Sequence, residues 1–120
     1  MAQTPEAKVK AKIKTILKAH GAYYAMPIGT GLGNSGVPDF LVCHNGNFLG
    51  IEAKAGKGVP TALQEKNLRD IDKAGGWTLV INEESLENKI LEAILANMGE
   101  ESEYDPQQIQ PPIGKDGRYK

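Results

Sequence analysis

The stretch that decides the fold is Gly36-Val37-Pro38-Asp39-Phe40-Leu41-Val42-Cys43-His44-Asn45-Gly46-Asn47-Phe48-Leu49-Gly50-Ile51-Glu52-Ala53-Lys54. Asn45-Gly46 is a strong two-residue hairpin signal, because both residues tolerate the positive φ angles that a tight turn between twisted strands requires. With those two residues as the turn, His44 pairs with Asn47, and the register sets Asp39 directly opposite Glu52. Side chains alternate along a strand, so Lys54 shares their face. Two carboxylates facing each other across strands repel unless something positive lies between them. A divalent cation with oxygen ligands suits that position.

Working outward, Thr4-Pro5-Glu6 reads as an N-cap, a proline at the first helical position and an early acid. The helix is expected to run to about Ala19, with Gly21 just beyond it. Val9, Ile13, Ile16 and Leu17 follow helical spacing and form its inward stripe. Glu6 falls within that stripe, so its carboxylate is expected to point toward the body, although an acid at a helix start also has the ordinary role of complementing the macrodipole. Lys10, Lys14 and Lys18 recur on another face, as a solvated surface or as phosphate contacts.

Ala22 to Met26 reads as a first strand ended by Pro27, and residues 28–37 as a glycine-rich loop. The hairpin strands are expected at Asp39–His44 and Asn47–Lys54. Thr61 is a cap for a second helix ending near Ala74, Trp77 to Ile81 a fourth strand with Trp77 in the core, and Ser85 a cap for a third helix. Gln64, Leu68 and Ile71 share one stripe of the second helix. Gln64 is then either a capping-box partner of Thr61 or an amide reaching the acidic site. The order predicts an α/β protein with a small mixed sheet, whose crossover through the second helix sets the fourth strand parallel to a neighbour. Residues 1–98 are expected to form one domain. Residues 99–120 are an acidic tail containing Pro and Gln, expected to be disordered or ordered against a partner.

Composition narrows the classes. In 120 residues the hydrophobic share is 40% and the charged share 24%, ordinary for a globular domain. No apolar run is long enough to span a bilayer, and no signal peptide is visible. One cysteine, Cys43, excludes an internal disulfide and a cysteine-built zinc site; its apolar strand suggests a small core residue in a reducing, cytoplasmic setting. Residues 1–82 hold ten Lys/Arg against six Asp/Glu, and residues 83–120 four against nine. The site-bearing part is therefore basic, which permits an anionic substrate.

Gly29-Thr30-Gly31-Leu32-Gly33 has the look of a dinucleotide fingerprint, but such a motif must open a helix directly after a strand, and here Pro38 and a hairpin follow. His20 and His44 stand alone. Asp39, Glu52 and Lys54 remain as the chemical set. Glu52 and Lys54 end an apolar strand, where charges cost free energy unless paired or bound to metal. A simple Glu52–Lys54 pair leaves Asp39 without a partner.

Pro38-Asp39, a twelve-residue gap and Glu52-Ala53-Lys54 resemble the PD-(D/E)xK nuclease superfamily. Gly36 ahead of that motif, the compact size and the downstream Gln64 are similar to its VRR-NUC branch, which includes small stand-alone nucleases, several from phages, and domains of larger repair enzymes. The resemblance covers roughly residues 4–82. It implies a restriction-endonuclease-like α-β-β-β-α-β core with a four-stranded mixed sheet flanked by helices. It implies Mg²⁺ or Mn²⁺ bound by Asp39, Glu52 and the Ala53 carbonyl, with Glu6 supporting the metal directly or through water. Lys54 would position the attacking water and stabilise developing charge, and Gln64 would orient the lysine, the metal shell or the substrate. The implied activity is structure-selective DNA endonuclease action on branched or flapped DNA, including four-way junctions, by a homodimer. The rival readings are an exonuclease or restriction-like enzyme of the same superfamily, and a non-cleaving nucleic-acid or protein binding module.

Overall fold

In the computed structural model, which describes residues 3–28 and 35–98, the chain enters as α1 (Pro5–Ala19). The Thr4 hydroxyl accepts from the Ala7 N–H at 3.1 Å and Pro5 occupies the first turn, where its missing N–H costs nothing. Gly21, at φ +70°, turns the chain out of the helix into β1 (Tyr23–Ala25). The hairpin follows as β2 (Phe40–His44) and β3 (Asn47–Ala53). Asn45 and Gly46 both have positive φ, 49° and 78°, and His44 pairs with Asn47 as the turn signal predicts. Then come α2 (Ala62–Lys73), β4 (Trp77–Ile81), α3 (Glu83–Glu87) and α4 (Ile90–Asn97).

The sheet order is β1-β2-β3-β4. The first two pairings are antiparallel, and β3 pairs with β4 in parallel, as expected of strands joined through a crossover helix. One sheet face carries Phe40, Val42, Leu49, Ile51 and Ala53, and packs with Val9, Ile13 and Leu17 of α1, with Leu91 and Leu95 of α4 and with Met98 just beyond it in a single core. The opposite face carries Gly50 and Glu52, and α2 lies against it. A Cβ on Gly50 would fall 2.8 Å from Ile71 Cδ1, so the bare glycine is what lets α2 approach β3 closely.

Several expectations are corrected. Cys43 is exposed; with Phe40 and Val42 buried inward, strand alternation turns Cys43 to the outer face. Trp77 opens β4 at the sheet margin and is 39% exposed, outside the core. Ser85 is not the helix cap. Asn82 caps α3 by accepting from the Ser85 N–H at 2.9 Å, while the Ser85 hydroxyl accepts from the Asn82 N–H at 3.3 Å. The expected third helix is two helices, broken at Lys89, whose φ is +56°. On α2 no residue is fully buried, because the helix covers the outer face of a small sheet. Residues 29–34 and 99–120, which hold the centre of the glycine-rich loop and the acidic tail, lie outside the described residues. Among the described residues no helix is long and apolar enough to cross a membrane.

Candidate active site

The site forms where β2 begins and β3 ends. Phe40 pairs with Ile51, so the next step outward along the hairpin sets Asp39 against Glu52. Asp39 reaches across to the neighbouring strand, where its Oδ2 accepts from the Ala53 N–H at 2.8 Å. That bond fixes the carboxylate against the end of β3. Beyond β3, the Lys54 N–H donates to the Ile81 carbonyl at 2.9 Å, continuing the ladder with β4 by one residue. Alternation thereby keeps Lys54 on the Glu52 side of the strand. Among the described residues Lys54 forms no ion pair within 4.0 Å.

Glu52 is 2% exposed and is the only buried charged residue among those described. Its Oε1 accepts from Gln64 Nε2 at 3.0 Å. Its Oε2 is buried with no hydrogen-bonding partner. Loss of water and, after it, the neighbouring Asp39 carboxylate together push the carboxyl up to about 8, with Lys54 opposing the shift and Glu6 adding to it. A buried acid raised in this way is stable only with a proton or with a cation in reach.

Gln64 performs both roles that its position allows. Its Oε1 accepts from the Thr61 N–H at 2.9 Å and its backbone N–H donates to the Thr61 hydroxyl at 3.2 Å, closing the capping box. The remaining amide group is the one that holds Glu52. The approach to Asp39 is fixed from the same helix. Asn67 donates to the Ser35 carbonyl at 3.0 Å, and Gly36, at φ +77°, lies so near α2 that a Cβ there would come within 2.9 Å of the Leu63 backbone.

Glu6 stands further out. Its side chain is 43% exposed and its Oε2 lies 3.8 Å from Lys10 Nζ, one turn along the helix. Among the described residues no group of three His, Cys, Asp or Glu side chains is gathered to hold a metal. The structure thus brings Asp39, Glu52 and Gln64 together, with Lys54 beside them, and leaves Glu6 linked to them through Lys10. The donor set nevertheless suits a divalent cation. Glu52 keeps one buried oxygen without a partner and has the Asp39 carboxylate near enough to raise its pKa, and Mg²⁺ commonly takes one or two carboxylates and keeps several waters.

Two contacts around the site are not legible in the sequence, where Lys10 reads as a solvated or phosphate-facing lysine and Glu83 carries no signal. Lys10 Nζ lies 3.4 Å from Asp39 Oδ1; the four-residue spacing from Glu6 was visible, but nothing in it pointed to Asp39. Glu83 Oε1 accepts from the Gly56 N–H at 2.8 Å, tying the loop after Lys54 to the start of α3. No sequence signal announces a contact that spans two elements. A cleft of about 630 Å³ between α1 and α3, whose lining includes Lys12, Ile16, Glu83, Leu86 and Glu87, contains neither Asp39 nor Glu52.

This is an α/β fold with a four-stranded mixed sheet, flanking helices and an acid pair at one sheet end. It is similar to a solved structure described as a VRR_NUC domain protein, with a TM-score of 0.59 at 14% sequence identity, over 88% of this chain and 96% of that one. At that identity the likeness establishes a shared fold. No protein-family model matches the chain, and no curated protein matches it.

Proposed function

We propose that the protein is a divalent-metal-dependent DNA endonuclease of the PD-(D/E)xK kind that selects branched or flapped DNA, four-way junctions included, and acts as a homodimer. The observation that carries this reading is the buried, unpartnered Glu52 Oε2 beside Asp39, with Lys54 two residues on. A pure binding surface has no need to bury an acid that lacks a partner, since the cost of doing so is several kcal/mol at the upper end, roughly 1–3 in protein measurements.

Asp39 and Glu52 would hold Mg²⁺ or Mn²⁺, with the Ala53 carbonyl as a further donor. The ion, when bound, would supply charge neutralisation at an anionic phosphate and make its coordinated water more acidic than bulk water. The chain's own groups do the rest. The Ala53 N–H and the Gln64 amide hold the two carboxylates at fixed angles, so no reorganisation is needed during the reaction. Lys54, a compact cation with three rotatable donors, orients the attacking water and stabilises charge that builds on the phosphate oxygens. Two copies place two such sites against two strands, which is the arrangement a junction requires.

The test is cleavage of labelled duplex, flap, fork, four-way and covalently closed circular DNA, with Mg²⁺, with Mn²⁺ and with EDTA. The expected result is metal-dependent cutting of branched substrates and nicking of the circle. Inactivity on every polynucleotide with either ion would overturn the nuclease reading, and activity confined to DNA with free ends would make it an exonuclease.

A further inference from the structure

The three lysines of the α1 row do not share one environment. Lys10 lies between two carboxylates, 3.4 Å from Asp39 Oδ1 and 3.8 Å from Glu6 Oε2, and its side chain is 30% exposed. Lys14 and Lys18 enter no ion pair among the described residues. The two oxygens of Asp39 are also unlike. Oδ2 is committed to the Ala53 N–H, and Oδ1 is the oxygen that Lys10 faces. A cation placed between Asp39 and Glu52 therefore meets the lysine at the Asp39 oxygen left for it.

The Lys10–Asp39 separation is longer than the roughly 2.7–2.9 Å of a direct charge-assisted hydrogen bond, so the pair is loose enough to open. Glu6 offers the ammonium a second carboxylate on its own helix, at the i, i+4 spacing that suits a Glu–Lys pair with the acid on the N-terminal side. Leaving Asp39 does not strand the lysine.

We propose that Lys10 is an internal counter-ion of the acid pair: it neutralises Asp39 in the cation-free protein, competes with the divalent cation for Oδ1, and passes to Glu6 when the cation binds. This rests on the metal reading given above. It assigns Glu6 the task of receiving Lys10 in place of direct ligation, and it makes Lys10 a positioning residue that sets the cation concentration at which the site fills.

The experiment is calorimetric titration of Mn²⁺ alone, without DNA, into the full chain and into Lys10→Met, Lys10→Arg, Glu6→Gln and Asp39→Ala variants at low salt. Lys10→Met is expected to bind Mn²⁺ roughly three- to tenfold more tightly, the effect of removing one partly exposed competing charge. Lys10→Arg, which keeps the charge, should return affinity to near wild type. Glu6→Gln should bind more weakly, because the displaced lysine then has no second carboxylate. A lysine with only a structural role would weaken the site when removed, not tighten it. Equal or weaker binding by Lys10→Met, with wild-type binding present and lost in Asp39→Ala, would overturn the counter-ion and leave the metal site standing. Absence of Mn²⁺ binding in wild type and Lys10→Met alike would overturn both.

Discussion

One side-chain amide joins Gln64 to Glu52: its Nε2 donates to the buried carboxylate at 3.0 Å while its Oε1 caps the helix through Thr61 at 2.9 Å. The N-terminus of α2 and the acid pair are thus one mechanical unit. Gln64→Glu retains an acceptor for the cap but loses the donor to Glu52 and adds a third negative charge. Gln64→Ala loses both bonds. Activity is expected to fall about 10–100-fold in each, the usual effect of removing a group that orients a metal ligand. Only Gln64→Ala should also lose stability at the cap, by less than the roughly 1 kcal/mol of a removed N-cap residue, because the Thr61 hydroxyl still accepts from the backbone N–H at position 64. Denaturant melts beside initial cleavage rates separate the two contributions.

The acid–acid–lysine set predicts a split between binding and turnover. Asp39→Ala, Glu52→Ala and Lys54→Ala should each lower cleavage by about 10²–10³-fold or more, corresponding to roughly 3–4 kcal/mol of transition-state stabilisation. Lys54→Ala should keep Mn²⁺ binding, whereas Asp39→Ala should weaken it. Calorimetry and single-turnover cleavage on the same preparations check the split; full metal-dependent activity in either acid variant would remove the assignment.

Glu52 gives the metal-free protein a pH dependence of definite sign. Its carboxyl is raised by burial and by Asp39 to about 8 in the fold, against about 4.5 when the chain is unfolded. Between those values the folded protein holds a proton that the unfolded chain has released, so stability declines as pH rises. The contribution is fully present below the unfolded value and is lost as pH climbs through the folded one. Urea unfolding in EDTA at about pH 5, 7 and 8.5, from near the unfolded value to beyond the folded one, should show a falling midpoint, and Glu52→Gln should flatten the trend. Added Mn²⁺ should restore stability most at the alkaline end, where the carboxylate is free to bind it.

Gly36 predicts a local backbone effect with a functional consequence. It has φ +77°, and a Cβ there would come within 2.9 Å of Leu63 backbone atoms, which cannot rotate away. Gly36→Ala should cost roughly 1–3 kcal/mol. By displacing Val37 and Pro38 it should also misplace Asp39 and reduce cleavage beyond the loss of folded protein. Comparing specific activity per folded molecule at a temperature well below the melting point tests this.

The parts of the fold legible in sequence were those written in local rules. The Asn45-Gly46 turn set the register, the register set Asp39 against Glu52, and the Thr61 and Thr4 caps placed two helix starts. Elsewhere local pattern leaves the outcome open. Apolar context points Cys43 and Trp77 to the core, but which side of a strand faces a helix depends on what packs there. Ser85 and Asn82 are both good caps, and the break falls at Lys89, two residues ahead of Leu91, which with Leu95 is buried in the core.

The amino-acid sequence by itself determined the hairpin, the helix starts and the set of residues Asp39, Glu52 and Lys54, because backbone propensity and strand alternation act over a few neighbours. Only the tertiary structure decided that Gln64 would bond Glu52, that Lys10 would face Asp39 and that one Glu52 oxygen would be left without a partner. Those contacts join helices to strands distant along the chain, and their geometry is fixed by how closely α1 and α2 can pack on the sheet.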